Sequence, residues 1–216
     1  MRSYIFVDNS NVFIEGQRAA AIAENSVTRG KLYRLDFGRL FDYLNPERAN
    51  SFFQLGTEQF PKLYGSEPPP LDSIWRVLEA MGVGLKIFKK NPRGIEKRVD
   101  AALIIDCTKL VSKWQPKPDG EIVIVAGDAD YYDLVGDARA EGWPVRVLCW
   151  KHATAQFVQN LPEFRDLTPH LKTIGFFEPY EVKHDFGEVD WSKVVPYHDD
   201  HPPPGKAKNL PRGRIR

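Results

Sequence analysis

Cysteine is scarce in this chain, long apolar runs are missing, and neither sign of charge dominates. Only two cysteines, Cys107 and Cys149, occur in 216 residues. Both lie in apolar segments with no Cys or His nearby at metal-ligand spacing, so buried reduced thiols are expected and a disulfide between them has no support. No segment approaches the ~20 consecutive apolar residues that a membrane-spanning helix requires. The opening MRSYIFVDNS runs straight into a strand-like pattern without the charged-then-apolar layout of a signal peptide, and a cytoplasmic location is therefore expected. With 30 basic and 29 acidic residues the net charge is +1, which neither demands nor forbids a nucleic-acid partner, so the distribution of charge matters more than its sum. His152 and the later histidines show no triad spacing, which leaves nucleophilic catalysis unsupported. No internal repeat is present.

What remains is one globular core with extensions. A 42% hydrophobic and 12% aromatic composition fits a single domain of this length. Short continuous apolar runs at Tyr4–Val7, Ile122–Val125 and Val145–Cys149 read as buried strands, with weaker candidates at Ser51–Leu55 and Gly84–Phe88. Helical periodicity appears at Asp36–Leu44, Leu71–Met81, Lys97–Trp114 and Tyr131–Glu141, with Gly82 and Gly142 stopping the second and fourth. Strands alternating with helices imply parallel pairing and right-handed crossovers, hence a layered α/β domain over about residues 1–168. The proline-rich Glu67–Pro70 reads as a loop within it. Residues 169–200, rich in Phe, Tyr and charge, either pack on the domain or serve a partner. Residues 201–216 form a Pro-rich then basic tail (Lys206, Lys208, Arg212, Arg214, Arg216), read as a solvated disordered end, with a phosphate-binding arm as the sharper alternative.

Ligands of open α/β sheets gather beyond the carboxyl ends of the strands, near the point where strand order reverses. Asp8 follows the first strand and Asp128 follows the strand at 122–125, so both fall on that edge. Asp130 sits in the same turn, where Gly127 lets the backbone bend, and Asp100 occupies the first turn of the helix after the 91–96 loop. Four converging carboxylates repel one another unless a cation compensates them, and an oxygen-only donor set suits Mg²⁺ or Mn²⁺. Phosphodiester hydrolysis uses such clusters. Any one of these Asp residues could instead simply cap a turn or a helix.

Phe6-Val7-Asp8-Asn9-Ser10-Asn11, Lys97-Arg98-Val99-Asp100 and Ala126-Gly127-Asp128-Ala129-Asp130-Tyr131 resemble, in order, the three motifs of NYN-domain proteins in the PIN-like nuclease superfamily. The resemblance covers most of residues 3 to about 168. It implies a three-layer α/β/α sandwich with a central, mainly parallel, Rossmann-like sheet. It also implies an RNA-cleaving hydrolase of the endoribonuclease kind, and a Mg²⁺ or Mn²⁺ site on Asp8, Asp100, Asp128 and Asp130. Asn11 is marked beside the first Asp, where its amide either orients a carboxylate or water or caps the helix. The chain departs from the pattern at Ala126, where Ser or Thr is common, and at Tyr131, where Phe is usual.

Lys86, Lys89, Lys90, Arg93, Lys97 and Arg98 precede or border Asp100 with Glu96 as the only acid among them. Lys90, Arg93, Lys97 and Arg98 are the candidate phosphate-contacting residues of an RNA partner. Of the aromatics Tyr131, Tyr132, Trp143 and Trp150, one or two could stack on single-stranded bases, the others being core. Asp106, six residues beyond Asp100, is rotated away from it and is expected to be paired, with a supporting role toward the site as the weaker suggestion. A haloacid-dehalogenase-type phosphatase would need a second Asp at position 10, where Ser10 stands. A non-catalytic RNA-binding or protein-interaction module of the same fold is the serious rival. The oligomeric state, a homodimer included, is left open.

Overall fold

A strand covered on both faces must be apolar at every position rather than at alternate ones, and the short apolar runs of this sequence occupy just such places. The computed structural model describes residues 2–46, 52–66, 74–89, 98–113 and 119–179. The chain runs through β1 (Arg2–Asp8), a short π-helical stretch (Ser10–Ile14), α1 (Glu15–Ala23), α2 (Val27–Lys31), β2 (Tyr33–Leu35) and α3 (Phe37–Leu44). It continues through β3 (Phe53–Leu55), β4 (Glu58–Phe60), β5 (Lys62–Ser66), α4 (Ile74–Ala80), β6 (Gly84–Phe88) and α5 (Val99–Lys113). The last part holds β7 (Gly120–Val125), α6 (Tyr132–Ala140), β8 (Val145–Cys149), α7 (Gln156–Gln159), β9 (Phe164–Asp166), α8 (Leu171–Ile174) and β10 (Gly175–Phe177).

Six strands form one sheet in the order β6-β5-β1-β7-β8-β9, each neighbouring pair parallel. From β1 the chain moves outward to β5 and β6, then crosses back to β7 and moves outward the other way. Strand order therefore reverses between β1 and β7, and the carboxyl ends of those two strands carry Asp8 and the 126–130 loop. Alternate residues of β1 serve opposite layers. Ile5 and Val7 pack with α1, α3 and Trp150 on one face, while Tyr4 and Phe6 pack with α5 and α6 on the other. This is the expected α/β/α sandwich. Among the described residues no helix is long and apolar enough to cross a membrane.

Several elements differ from the sequence expectation. β5 begins directly after Pro61 and contains Gly65, punctuation that hides a strand of the central sheet. The candidate strand at 51–55 shrinks to β3, which pairs antiparallel with β4 outside the main sheet. α1 is alanine-rich and lacks a strong apolar stripe; the close approach of α2 to it depends on Gly30, where an added Cβ would lie 2.5 Å from the Cβ of Ala21. Past Thr168 the chain still packs on the core, with Leu171 and Ile174 buried and β10 paired antiparallel with β2. The loop at 67–70, the segment 180–200 and the tail at 201–216 lie outside the described residues.

α5 is anchored by a buried charge. Asp106 is 7% exposed, and its carboxylate accepts hydrogen bonds from Tyr64 Oη at 2.8 Å, Lys86 Nζ at 2.8 Å and Lys62 Nζ at 3.4 Å. Burial works to raise its pKa, but the Lys86 and Tyr64 hydrogen bonds and the Lys62 charge outweigh it and hold the carboxyl below its usual range. Asp106→Asn leaves the buried Lys62 with Glu58 as its remaining ion-pair partner, and should cost ~2–3 kcal/mol in urea denaturation at pH 7. A loss below about 1 kcal/mol would mean that the network behaves like an exposed pair.

Candidate functional site

β1 is the innermost strand of its half of the sheet, so its last residue is enclosed by the loops of its neighbours. Asp8 is consequently 2% exposed. Its carboxylate accepts from the Asn11 backbone N–H at 3.2 Å through Oδ1 and from Asn11 Nδ2 at 3.2 Å through Oδ2. Asn11 thus orients the carboxylate, the first of the two roles its position allowed. Its own amide oxygen is 3.9 Å from Cys149 Sγ. Cys149 and Cys107 are both buried free thiols.

α5 packs across the sheet so that its first turn meets the same edge. Asp100, half-buried, is joined to Asp8 through one phenol, since Tyr131 Oη lies 2.9 Å from Asp100 Oδ1 and 3.3 Å from Asp8 Oδ2. The sequence marked Tyr131 as a departure from the family pattern and as one of four possible stacking aromatics, but not as the bridge between two acids. Its signal was present: where Phe is usual, this chain adds a hydroxyl beside the third acidic motif. The Asp8 carboxyl is raised to about 7, first by burial; the Asn11 hydrogen bonds work against the rise, and the Asp100 carboxylate and its hydrogen bonding add to it. Tyr131 is raised as well, first by burial and then by the two acids.

Asp128 and Asp130 sit on the adjoining loop, and both are exposed. Asp128 caps the short 3-10 turn Ala129–Tyr131, its Oδ1 accepting weakly from Asp130 N at 3.4 Å. Among the described residues no group of three or more Asp, Glu, His or Cys is gathered closely enough to hold a metal ion. Gly127 is needed for closeness rather than for a bend, because an added Cβ would come 2.8 Å from Thr154 Oγ1 and 2.9 Å from Cys149 Sγ. Ala126 is fully buried in the apolar layer. Of the basic candidates, Arg98 is exposed at the start of α5 with its guanidinium 5.3 Å from the Phe88 ring. Lys90, Arg93 and Lys97 lie outside the described residues. Lys86 is committed to Asp106, and Asp106 bonds to Lys62, Tyr64 and Lys86 rather than to the acid pair. Tyr131, Trp143 and Trp150 are buried, whereas Tyr132 is 43% exposed and packs edge-on against Phe157 at 5.0 Å.

The donor set at this edge is oxygen only, and no cationic side chain among the described residues forms a salt bridge with Asp8 or Asp100. A buried carboxylate beside a half-buried one, with no salt-bridge partner among the described residues, fits a hard divalent cation, which Mg²⁺-type sites hold with one or two carboxylates and several waters. Without metal, the folded chain keeps the Asp8 proton up to about pH 7, whereas the unfolded chain releases it near ~4. More protons bound by the folded state means that stability falls as pH rises through this window. In EDTA, Asp8→Asn should therefore leave stability nearly unchanged at pH 4 and raise it at pH 8 by on the order of 2–4 kcal/mol, read by urea denaturation. Equal effects of the substitution at the two pH values would contradict the buried-acid account.

The fold has a counterpart among solved structures. A solved structure of a protein of unknown function from Vibrio parahaemolyticus, VPA0982, superposes with a TM-score of 0.50 at 16% identity, covering 77% of this chain and 92% of that one; a likeness at this identity speaks for the fold alone. No curated protein matches the sequence. The family model of the NYN domain matches residues 2–168. The chain belongs to the NYN domain family, within the PIN-like nuclease superfamily.

Proposed function

We propose that this protein is a Mg²⁺- or Mn²⁺-dependent ribonuclease that hydrolyses phosphodiester bonds of single-stranded RNA at the edge formed by Asp8, Asp100, Asp128 and Asp130. The observation that carries the reading is the pair of buried Asp8 and half-buried Asp100, bridged by a phenol and without a salt-bridge partner among the described residues, at the point where strand order reverses. Asp8 and Asp100 would hold the cation, with Asp128 and Asp130 supplying further carboxylates or water contacts from the open side. When bound, such a cation lowers the pKa of water and stabilises the charge that builds on a phosphate oxygen.

The chain's own groups prepare the site. Asn11 fixes both oxygens of Asp8, and Tyr131 holds Asp100 and Asp8 in register, so that little reorganisation is needed when a cation enters. The closed layer of Ala126 and Tyr131 behind the acids keeps water to the outer side. Arg98, with Lys90, Arg93 and Lys97, is proposed to contact the phosphates of the strand. Tyr132 stands beside Asp130 with part of its ring open, and it is the aromatic of this edge that could stack on an unpaired base. A second reading, an RNA-binding or protein-interaction module with little turnover, draws on one observation: the described carboxylates are not gathered into a three-ligand group.

Incubating purified protein with labelled single-stranded RNA and Mn²⁺ separates the two readings. Cleavage that falls ~10²-fold or more in Asp100→Asn and Asp128→Asn supports hydrolysis here. Cleavage surviving both substitutions would mark a contaminant, and tight binding without cleavage would favour the module. Tyr132→Ala should raise KM roughly tenfold with kcat nearly unchanged, and Tyr132→Phe should restore it, as expected for loss and recovery of a base-stacking surface.

A further inference from the structure

A cleft of about 710 Å³ lies between α1, α7 and β9, apart from the acid pair. It falls within the ~300–1,000 Å³ usual for ligand pockets. We propose that this cleft seats one nucleotide of the RNA strand, with Lys151 on its phosphate; the assignment rests on the ribonuclease reading above and adds to it a second, strand-holding subsite.

Position comes first. The turn Lys151–Ala153 follows β8, so the cleft opens toward the same strand ends as Asp8. His152 Nε2 lies 3.1 Å from Glu15 Oε2. Glu15 stands four residues past Asn11, the residue that holds Asp8, or ~6 Å along a helical path. The stretch 11–15 therefore connects His152, in the cleft wall, to the residue that holds Asp8.

Rigidity comes next. Gln159 Nε2 donates to the carbonyls of Lys151 at 3.0 Å and Thr154 at 2.7 Å. Asp166 Oδ1 accepts from the backbone N–H of Lys151 at 3.1 Å and of Thr168 at 2.8 Å. The backbone around the cleft is thus pinned from both sides, which lowers the ordering cost of binding.

Chemistry identifies the occupant. Ala19, Ile22 and Phe164 supply apolar surface, suited to the face of a flat heterocycle. Asn160, His152 and Asp166 bring both donors and acceptors, the mixture that matches a base edge. Lys151 is exposed, and among the described residues no acid forms a salt bridge with its Nζ. A free cation beside an apolar floor and a polar rim selects an anion attached to a ring, which is a nucleotide. Its source, a strand or a free monophosphate, is for experiment to separate.

Amide NMR of the full chain in EDTA, titrated in parallel with a hexaribonucleotide and with AMP or UMP, tests the assignment. The hexanucleotide should shift amides of residues 151–160 and 164–168, and Lys151→Gln should weaken its binding roughly tenfold. The free monophosphates should shift the same amides at much higher concentration. Absence of shifts there with the hexanucleotide, or an affinity indifferent to Lys151→Gln, overturns the proposal. So does a monophosphate that binds as tightly as the hexanucleotide, because the cleft would then serve free nucleotides. Failure of the ribonuclease reading looks different: no cleavage in Mn²⁺, with these shifts and their Lys151 dependence intact.

Discussion

A carboxylate buried with no salt-bridge partner among the described residues, at the end of the first and innermost strand, is the constraint around which the rest of this edge is arranged. Asp8 is 2% exposed, and an acid removed from water must be neutralised by a proton, a cation or hydrogen bonds. Asn11 contributes two hydrogen bonds and Tyr131 a third. These reduce the cost without removing it, because burial still pushes the carboxyl up to about 7. The residues near Asp8 are therefore answerable to one electrostatic problem. Gly127 and Ala126 keep the adjoining loop close, and Asp100 adds a second negative group where a single one is already expensive.

Asp106 shows how the same protein treats an acid that it intends to keep closed. Asp100 and Asp106 lie on one helix, six residues apart, and face different surroundings. Asp106 has Lys62, Lys86 and Tyr64 against it, and its pKa is held below the usual range. Among the described residues the acid pair at the strand ends has amide and phenol donors but no salt-bridged cation. A purely structural acid in this fold is compensated from within the chain. Asp8 and Asp100 have no such compensation among the described residues, which is the physical reason behind the proposal that they form a site as well as satisfying local backbone groups.

Much of this was legible in the sequence because it follows from short-range rules. Continuous apolar runs at Tyr4–Val7 and Ile122–Val125 read as strands covered on both faces, with Asp8 directly after the first and Asp128 three residues after the second. β5 was hidden by Pro61 and Gly65, and α1 by alanines whose burial depends on what lies over them. The strand candidate at 51–55 has strand-forming side chains, but its partner is β4 and not the central sheet, a choice that composition does not encode. Lys86 looked like one more surface base, and its commitment to Asp106 across 20 residues of chain is visible only once β6 and α5 are laid side by side.

By itself the sequence determined the α/β class, the edge on which the acids lie and the family motifs, since these depend on residue type and on neighbours a few positions away. Only the tertiary structure decided which acids meet. Asp8 and Asp100 are 92 residues apart and are joined by the hydroxyl of Tyr131, whereas Asp128 and Asp130, nearer to Tyr131 in the chain, face outward. The reason is that proximity between distant side chains is set by how α5 packs on the sheet and by how the 126–131 loop closes against Thr154 and Cys149. Spacing along the chain can name the groups of such a site, but packing decides which of them share a proton, a cation or only the same edge.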